Sequence, residues 1–138
     1  MLNQTQSCVP FTPREQRCVL GNYADYSINV TSPADIAAGI QFASKKNVRL
    51  VIKNTGHDYL GKSTGKGSLS LWTHNLKNVS LLSFESTSYR GPAIKLGAGI
   101  QAFEAYAFAN ANGLRILGGE CPTYVFFTFV KEKLLNLI

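Results

Sequence analysis

The sequence lacks the long apolar run, the leader and the basic stripe that would assign it to a membrane or to nucleic acid. No run of about 18 apolar residues occurs, so we expect no membrane-spanning helix. The first residues, MLNQTQSCVPF, contain neither the basic nor the apolar region of a signal peptide. The formal net charge is +6, yet Lys45 and Lys46 are the only adjacent basic residues. We therefore expect no membrane or nucleic-acid partner, and attraction to an anionic small ligand explains the charge at least as well.

Histidine is also scarce, which limits the metal chemistry that the chain can support. His57 and His74 are the only two histidines, and no third ligand is visible beside them, so the sequence predicts no metal site. The length of 138 residues allows one ordinary domain. With 45% hydrophobic and 16% charged residues, the composition is that of a globular protein able to form a core.

The three cysteines bear on the compartment in which the protein folds. Cys8 and Cys18 lie near each other in a turn-rich segment, where they are either a disulfide or two free thiols. A disulfide would indicate a secreted family, although this chain shows no signal peptide. Cys121 is left over as an unpaired thiol. Three N-x-S/T sequons also suggest secretion and glycosylation: Asn3, Asn29 and Asn78.

The hydrophobic pattern predicts a mixed α/β order without internal repeats. Residues 1–22 show no periodicity and form an extended arm in this interpretation. Strands are predicted at residues 26–31, 48–53, 68–72, 79–84, 93–99 and 114–119. A helix follows Ser32 as N-cap, with Pro33 at its first position and Asp35 in its first turn. A second, alanine-rich helix ends before Gly113, which suits a helix C-cap.

The most unusual stretch is NTGHDYLGKS, at residues 54–63, between two predicted strands. Gly56 and Gly61 permit positive φ angles, and consecutive amides in such a turn form a nest that binds phosphate oxygens. Hydroxyl and ammonium groups add donors around it: Thr55, Ser63, Lys53 and Lys62. The GxGxxG and GxxxxGK[ST] patterns are both absent. From the chemistry alone, a solvated hairpin loop with chance glycines remains open, as does a surface role for His57.

A resemblance to a known family extends this interpretation. The segment from Val48 to Asn78 resembles the flavin-diphosphate segment of FAD-linked oxidoreductases in the vanillyl-alcohol-oxidase superfamily, in particular the fungal members of the berberine-bridge-enzyme-like branch. GAGI at residues 97–100 and GGECPT at residues 118–123 agree with it, so the resemblance runs from about Cys8 to Thr123. It implies an α+β fold over residues 23–123, namely the N-terminal portion of a PCMH-type FAD-binding domain with a mixed sheet and flanking helices.

The resemblance also implies roles for individual residues. His57 matches the histidine that bonds covalently to the flavin 8α-methyl group. Cys121 matches the cysteine that bonds flavin carbon 6 in some members, while a buried free cysteine is its alternative. The implied FAD-binding residues lie in two segments: Lys53, Asn54, Thr55, Gly56, His57, Asp58, Tyr59, Gly61, Lys62 and Ser63 in the first, and Gly118, Gly119, Cys121 and Thr123 in the second.

The implied activity is oxidation of a small organic substrate, with hydride transfer to flavin N5 and reoxidation by molecular oxygen. The family's glycine-rich continuation does not follow Thr123, and residues 124–138 form a hydrophobic tail outside the family pattern. We expect the family's catalytic base to lie beyond this chain. Two alternatives therefore remain, which are a catalytically inactive truncated fragment or pseudoenzyme and, with less support, an unrelated anion- or nucleotide-binding module.

Overall fold

The computed structural model describes residues 7–125, which divide into two compact units. The first unit ends at Thr73 and the second begins at His74. The first contains strand β1 (Tyr26–Asn29), helix α1 (Pro33–Lys46), strand β2 (Arg49–Lys53) and strand β3 (Ser68–Trp72). The second contains strand β4 (Val79–Glu85), strand β5 (Arg90–Leu96) and helix α2 (Ala102–Ala111).

The first unit is built on a parallel sheet with the strand order β1-β3-β2. Leu71 of β3 is paired with Ile28 of β1 and with Ile52 of β2, and it is only 1% exposed. Since β2 and β3 run parallel, residues 54–67 must return along the sheet and cannot form a hairpin. The alternative of a simple hairpin loop is therefore wrong, because it took neighbours in sequence to be antiparallel.

Helix α1 begins where the local sequence predicts. The Ser32 hydroxyl accepts a hydrogen bond from the Asp35 amide, and the Asp35 carboxylate accepts one from the Ser32 amide, which completes a capping box. The helix ends at Asn47, in the left-handed conformation with φ of 53°. Buried Gly39 lets α1 approach the sheet, because a Cβ atom there would lie 2.5 Å from Cδ2 of Leu71.

The N-terminal arm is closed by a disulfide between Cys8 and Cys18. It is attached to the residues that follow β2 through Asn22. The Asn22 carbonyl accepts a hydrogen bond from the Thr64 hydroxyl at 2.9 Å, and its side-chain oxygen accepts one from the Lys66 amide at 3.1 Å. The far end of the β2–β3 connection is thus fixed to the arm.

The second unit contains the antiparallel hairpin of β4 and β5. Ahead of α2, the Gly97 amide donates to the Asn78 carbonyl at 2.6 Å, and the Gly99 amide donates to the Leu76 carbonyl at 3.0 Å. Helix α2 begins with a capping interaction between Gln101 and Glu104. Glu104 also forms an ion pair with Lys77 at 2.5 Å, which connects the helix to the start of the hairpin.

Two strand predictions need correction. Strand β5 begins at Arg90 rather than at residue 93 and ends at Leu96, before GAG. Residues 114–119 form no strand, and among the described residues no strand pairs with them. Their apolar pattern does not reflect burial in a sheet. The Leu114 amide donates a hydrogen bond to the Ala109 carbonyl and so closes the end of α2, and Leu117 is 66% exposed. The sequon at Asn3 lies outside the described residues, as do residues 126–138 of the predicted tail, which begins at residue 124.

Candidate functional site

The first candidate segment starts at the carboxyl end of β2, where the chain is held against the end of β3. The Thr73 amide donates to the Lys53 carbonyl at 2.9 Å. The Asn54 side-chain amide donates to the Thr73 hydroxyl, and the Trp72 indole donates to the Asn54 carbonyl, both at 3.1 Å. Ligands of open parallel α/β sheets bind outside the carboxyl ends of the strands. The segment is therefore at the sheet edge where a ligand is expected.

Gly56 brings a positive charge close to the backbone of this segment. Its φ angle is +92°, and a Cβ atom at this position would lie 3.2 Å from Cε and 3.9 Å from Nζ of Lys53. The lysine side chain therefore folds back across Gly56, over a space that any other residue would partly fill. A glycine in this conformation and an ammonium group beside it suit the close approach of an anion.

Asp58 organises the following turn through its own oxygen atoms. One carboxylate oxygen accepts a hydrogen bond from the Leu60 amide at 3.2 Å, and the other accepts one from the Lys62 amide. The Asp58 carbonyl accepts a third, from the Gly61 amide at 3.2 Å. Three consecutive amides thus converge on one residue. The sequence pattern did not reveal this role, although an aspartate followed by a glycine-containing turn is a common setting for such side-chain-to-backbone bonds.

The remaining side chains of the first segment differ in exposure. His57 is half-buried, as are Thr55 and Ser63. Tyr59 is fully exposed at 101%, and Leu60 is 77% exposed. In sequence, the half-buried His57 comes directly between Gly56 and the turn that Asp58 closes.

The second candidate segment, residues 118–123, is held by the start of α2. Four of the carbonyl groups in and next to it accept hydrogen bonds from that helix end: Gly119 from the Tyr106 hydroxyl at 3.0 Å, Pro122 from the Phe103 amide at 3.0 Å, Thr123 from the Gln101 side chain at 3.2 Å and Tyr124 from the Ala102 amide at 2.8 Å. The helix amides used here are those that lack partners within a helix. Gln101 and Tyr106 were not predicted from the sequence, because nothing in a single sequence shows which carbonyls a helix end will meet.

Cys121 is half-buried and lies 3.5 Å from the Thr123 hydroxyl, measured from Sγ to Oγ1. Hydrogen bonds from the hydroxyl and from the backbone amide of Thr123 lower the pKa of the Cys121 thiol, against opposing effects of desolvation and of the Glu120 charge. Such a thiol ionises more readily than an ordinary cysteine. Within residues 7–125, no group of three or more His, Cys, Asp or Glu side chains could hold a metal ion.

The comparisons with known proteins identify the class of this domain. The family model for the FAD binding domain matches residues 24–123, so the chain belongs to the FAD binding domain family. This agrees with the α/β architecture and with the FAD expected from the sequence. Among the described residues, no helix is long and apolar enough to cross a membrane.

Two curated relatives and one solved structure illustrate the similarity. The chain is 62% identical to VAO-type flavoprotein oxidase VAO615 of Thermothelomyces thermophilus and 59% identical to the bifunctional decalin synthase calF of Penicillium decumbens, covering 87% of this chain and 21% of each relative. It also superposes on the crystal structure of the VAO-type flavoprotein MtVAO615 of Myceliophthora thermophila C1, with a TM-score of 0.80 and 62% identity over 86% of this chain and 22% of that one. The chain thus spans about a fifth of the length of these proteins.

The residues present fit the cofactor of this family. The FAD diphosphate is an anion, and the first segment offers it the Lys53 ammonium, which lies beside the backbone of Gly56. A Cβ atom at Gly61 or at Gly119 would meet no atom within 4 Å, so both segments leave space beside their backbone. The donors are amides, hydroxyls and ammonium groups, which are the groups that bind phosphate oxygens in proteins.

Proposed function

We propose that this chain contributes FAD binding to a flavin-dependent oxidoreductase that acts on a small organic molecule. At the level of the family, FAD binding and oxidoreduction follow from the family membership. For this chain, the proposal depends on one observation above all, which is the folding of Lys53 across Gly56 at the carboxyl end of β2. This arrangement supports binding of the diphosphate by residues 53–63.

We assign distinct tasks to the two segments. Lys53, Gly56, Lys62 and Ser63 bind the diphosphate, with Thr55 as a further hydroxyl donor. Gly118, Gly119 and Thr123 line the flavin, because the open side of Gly119 and the helix-bound backbone favour close packing of a flat ring. The flavin supplies the hydride-accepting chemistry when it is bound, while the protein supplies binding and orientation.

His57 is the proposed site of covalent flavin attachment. A neutral imidazole nitrogen is a competent nucleophile near neutral pH, and His57 lies between two turns that restrict its backbone. Cys121 is the proposed second site, supported by its lowered thiol pKa. We assign no catalytic base within residues 7–125, so we expect this chain on its own to bind FAD without oxidase turnover.

The proposal is tested by adding FAD to the purified chain and measuring quenching of flavin fluorescence, followed by acid precipitation of the protein. We expect saturable quenching and yellow colour that precipitates with the polypeptide. Because either bond alone would attach the flavin, each of His57→Ala and Cys121→Ala should keep acid-stable colour, whereas the double variant should keep the quenching and lose that colour. His74→Ala is the matched control, because it removes the other histidine and should leave the colour unchanged. Absence of saturable quenching by the parent chain would contradict the proposal.

We further propose that the protein folds in an oxidising, secretory compartment. The disulfide between Cys8 and Cys18 and the exposed sequon residues Asn29 and Asn78 support this. Titration of the denatured, unreduced chain with a thiol reagent should find at most one thiol when it is produced by secretion, and none where Cys121 holds flavin. Three reactive thiols in secreted material would refute the assignment.

A further inference from the structure

Asp58 is the only acidic residue between Lys53 and Gly67, in a segment proposed to bind an anion. Like charges repel, so an exposed carboxylate here should weaken binding unless it serves another purpose. Both of its oxygens are occupied, one by the Leu60 amide and one by the Lys62 amide. Bonds from backbone amides offset much of a carboxylate's charge locally.

We propose that Asp58 is a positioning residue, whose carboxylate fixes the turn through Lys62 in the shape that binds the FAD diphosphate. This rests on the proposed function. The Asp58 carboxylate accepts hydrogen bonds from the amides two and four residues after it in sequence. Its carbonyl accepts one from the Gly61 amide, which lies between those two. The turn is thereby closed from inside by a residue of the segment itself.

Closure of this turn has two consequences for the neighbouring groups. It holds Gly61 at a φ angle of +72° with open space beside it, where a ligand can approach the backbone. It also fixes the backbone directly after His57, the proposed attachment site. The amides of Leu60 and Lys62 are used within the turn, so binding falls to the lysine ammonium groups and to the backbone and hydroxyl of Ser63.

A competing interpretation makes the opposite prediction. The three convergent amides could form an anion site in which the Asp58 carboxylate substitutes for a phosphate group. The diphosphate would then have to displace the carboxylate, and removing Asp58 would strengthen FAD binding. The sign of the change in affinity therefore separates a positioning residue from a competing anion.

The test compares the parent chain with Asp58→Ala, Asp58→Asn and the control Asp25→Asn. Asp25 is an exposed acid of the same unit, and its hydrogen bond to the Ser68 carbonyl uses the backbone amide, which the substitution keeps. Two quantities are measured, namely amide hydrogen exchange at Leu60 and Lys62 without ligand, and the dissociation constant for FAD. Thermal melting of each variant checks that the unit remains folded.

We expect Asp58→Ala to accelerate exchange at both amides by about tenfold or more and to weaken FAD binding by about tenfold, as loss of charge-assisted hydrogen bonds predicts. Asp58→Asn keeps one acceptor oxygen, so its exchange rates and its dissociation constant for FAD should lie between those of the parent and of Asp58→Ala. Asp25→Asn should match the parent in both. FAD binding that is unchanged or tighter in Asp58→Ala would overturn the proposal. If no variant, the parent included, binds FAD, the proposed function fails, whereas unchanged exchange in Asp58→Ala refutes the turn-fixing role by itself.

Discussion

Replacement of Gly97 by alanine should destabilise the second unit, because backbone atoms fill the space that a Cβ atom needs. That atom would lie 2.2 Å from the Leu76 carbonyl oxygen and 3.1 Å from the Asn78 nitrogen. An ordinary contact requires about 3.5 Å, so the backbone at Gly97 and the backbone at residues 76–78 must separate by more than about 1 Å. Such a movement breaks the bond from the Gly97 amide to the Asn78 carbonyl, at 2.6 Å, and that from the Gly99 amide to the Leu76 carbonyl, at 3.0 Å.

The magnitude follows from three contributions. Two hydrogen bonds contribute about 1–3 kcal/mol together, and overpacking adds about 1–3 kcal/mol. Alanine also lowers the conformational entropy of the unfolded chain, which offsets about 0.4–1 kcal/mol of this destabilisation. We therefore expect Gly97→Ala to lower the free energy of unfolding by about 1–6 kcal/mol. Urea titration followed by far-UV circular dichroism measures this loss.

Gly119→Ala is the matched control for this experiment. A Cβ atom there would meet nothing within 4 Å, so the free energy of unfolding should change by no more than about 1 kcal/mol. The same control should weaken FAD binding, because it places a methyl group on the proposed flavin-lining backbone. If Gly97→Ala and Gly119→Ala unfold at the same urea concentration, the close backbone contact at Gly97 does not exist in solution.

Two further predictions concern titratable groups. Thr123→Val should raise the pKa of the Cys121 thiol toward its ordinary value and slow its alkylation near neutral pH, while Thr123→Ser should not; identical rate–pH profiles for all three chains would contradict this. Hydrogen bonds from the Thr31 amide and hydroxyl and from Ser32 lower the pKa of Asp35, so its contribution to stability is present above its ordinary pKa and is lost as the pH falls through the lowered one. Asp35→Ala should therefore destabilise the chain at pH 7 and converge with the parent in strong acid, and a constant difference in the free energy of unfolding at all pH values would refute the assignment.

The sequence predicted those parts of the fold that depend on local chemistry. Ser32, Pro33 and Asp35 stand next to one another in sequence, and helix α1 begins where they indicate. The direction of β3 relative to β2 depends on pairing across the sheet, so the hairpin alternative could not be excluded from the sequence. The same limit explains residues 114–119, which have a strand-like composition but find no partner strand among the described residues.

For the candidate site, the resemblance supplied the residues but not the bonds that shape them. Lys53 was predicted as a positive charge beside the segment and Gly56 as a residue that permits a positive φ angle, whereas the structure places the lysine side chain across the glycine. The assignment of residues 53–63 and 118–123 to FAD stays a prediction for the titrations above. Gln101 and Tyr106 could not be predicted at all, because the carbonyls that they bind, those of Thr123 and Gly119, come after the end of α2 in sequence.

Both candidate segments share one physical property, which is that each is fixed by hydrogen bonds to its own unit. Asp58 closes the turn of the first segment, and the start of α2 binds the carbonyl groups of the second. A segment that is already ordered loses less conformational entropy when it binds a ligand than a flexible one does. The binding energy of the diphosphate is then available to hold the cofactor. A substitution at Asp58, which need not contact FAD, should therefore weaken binding as much as the loss of a direct donor.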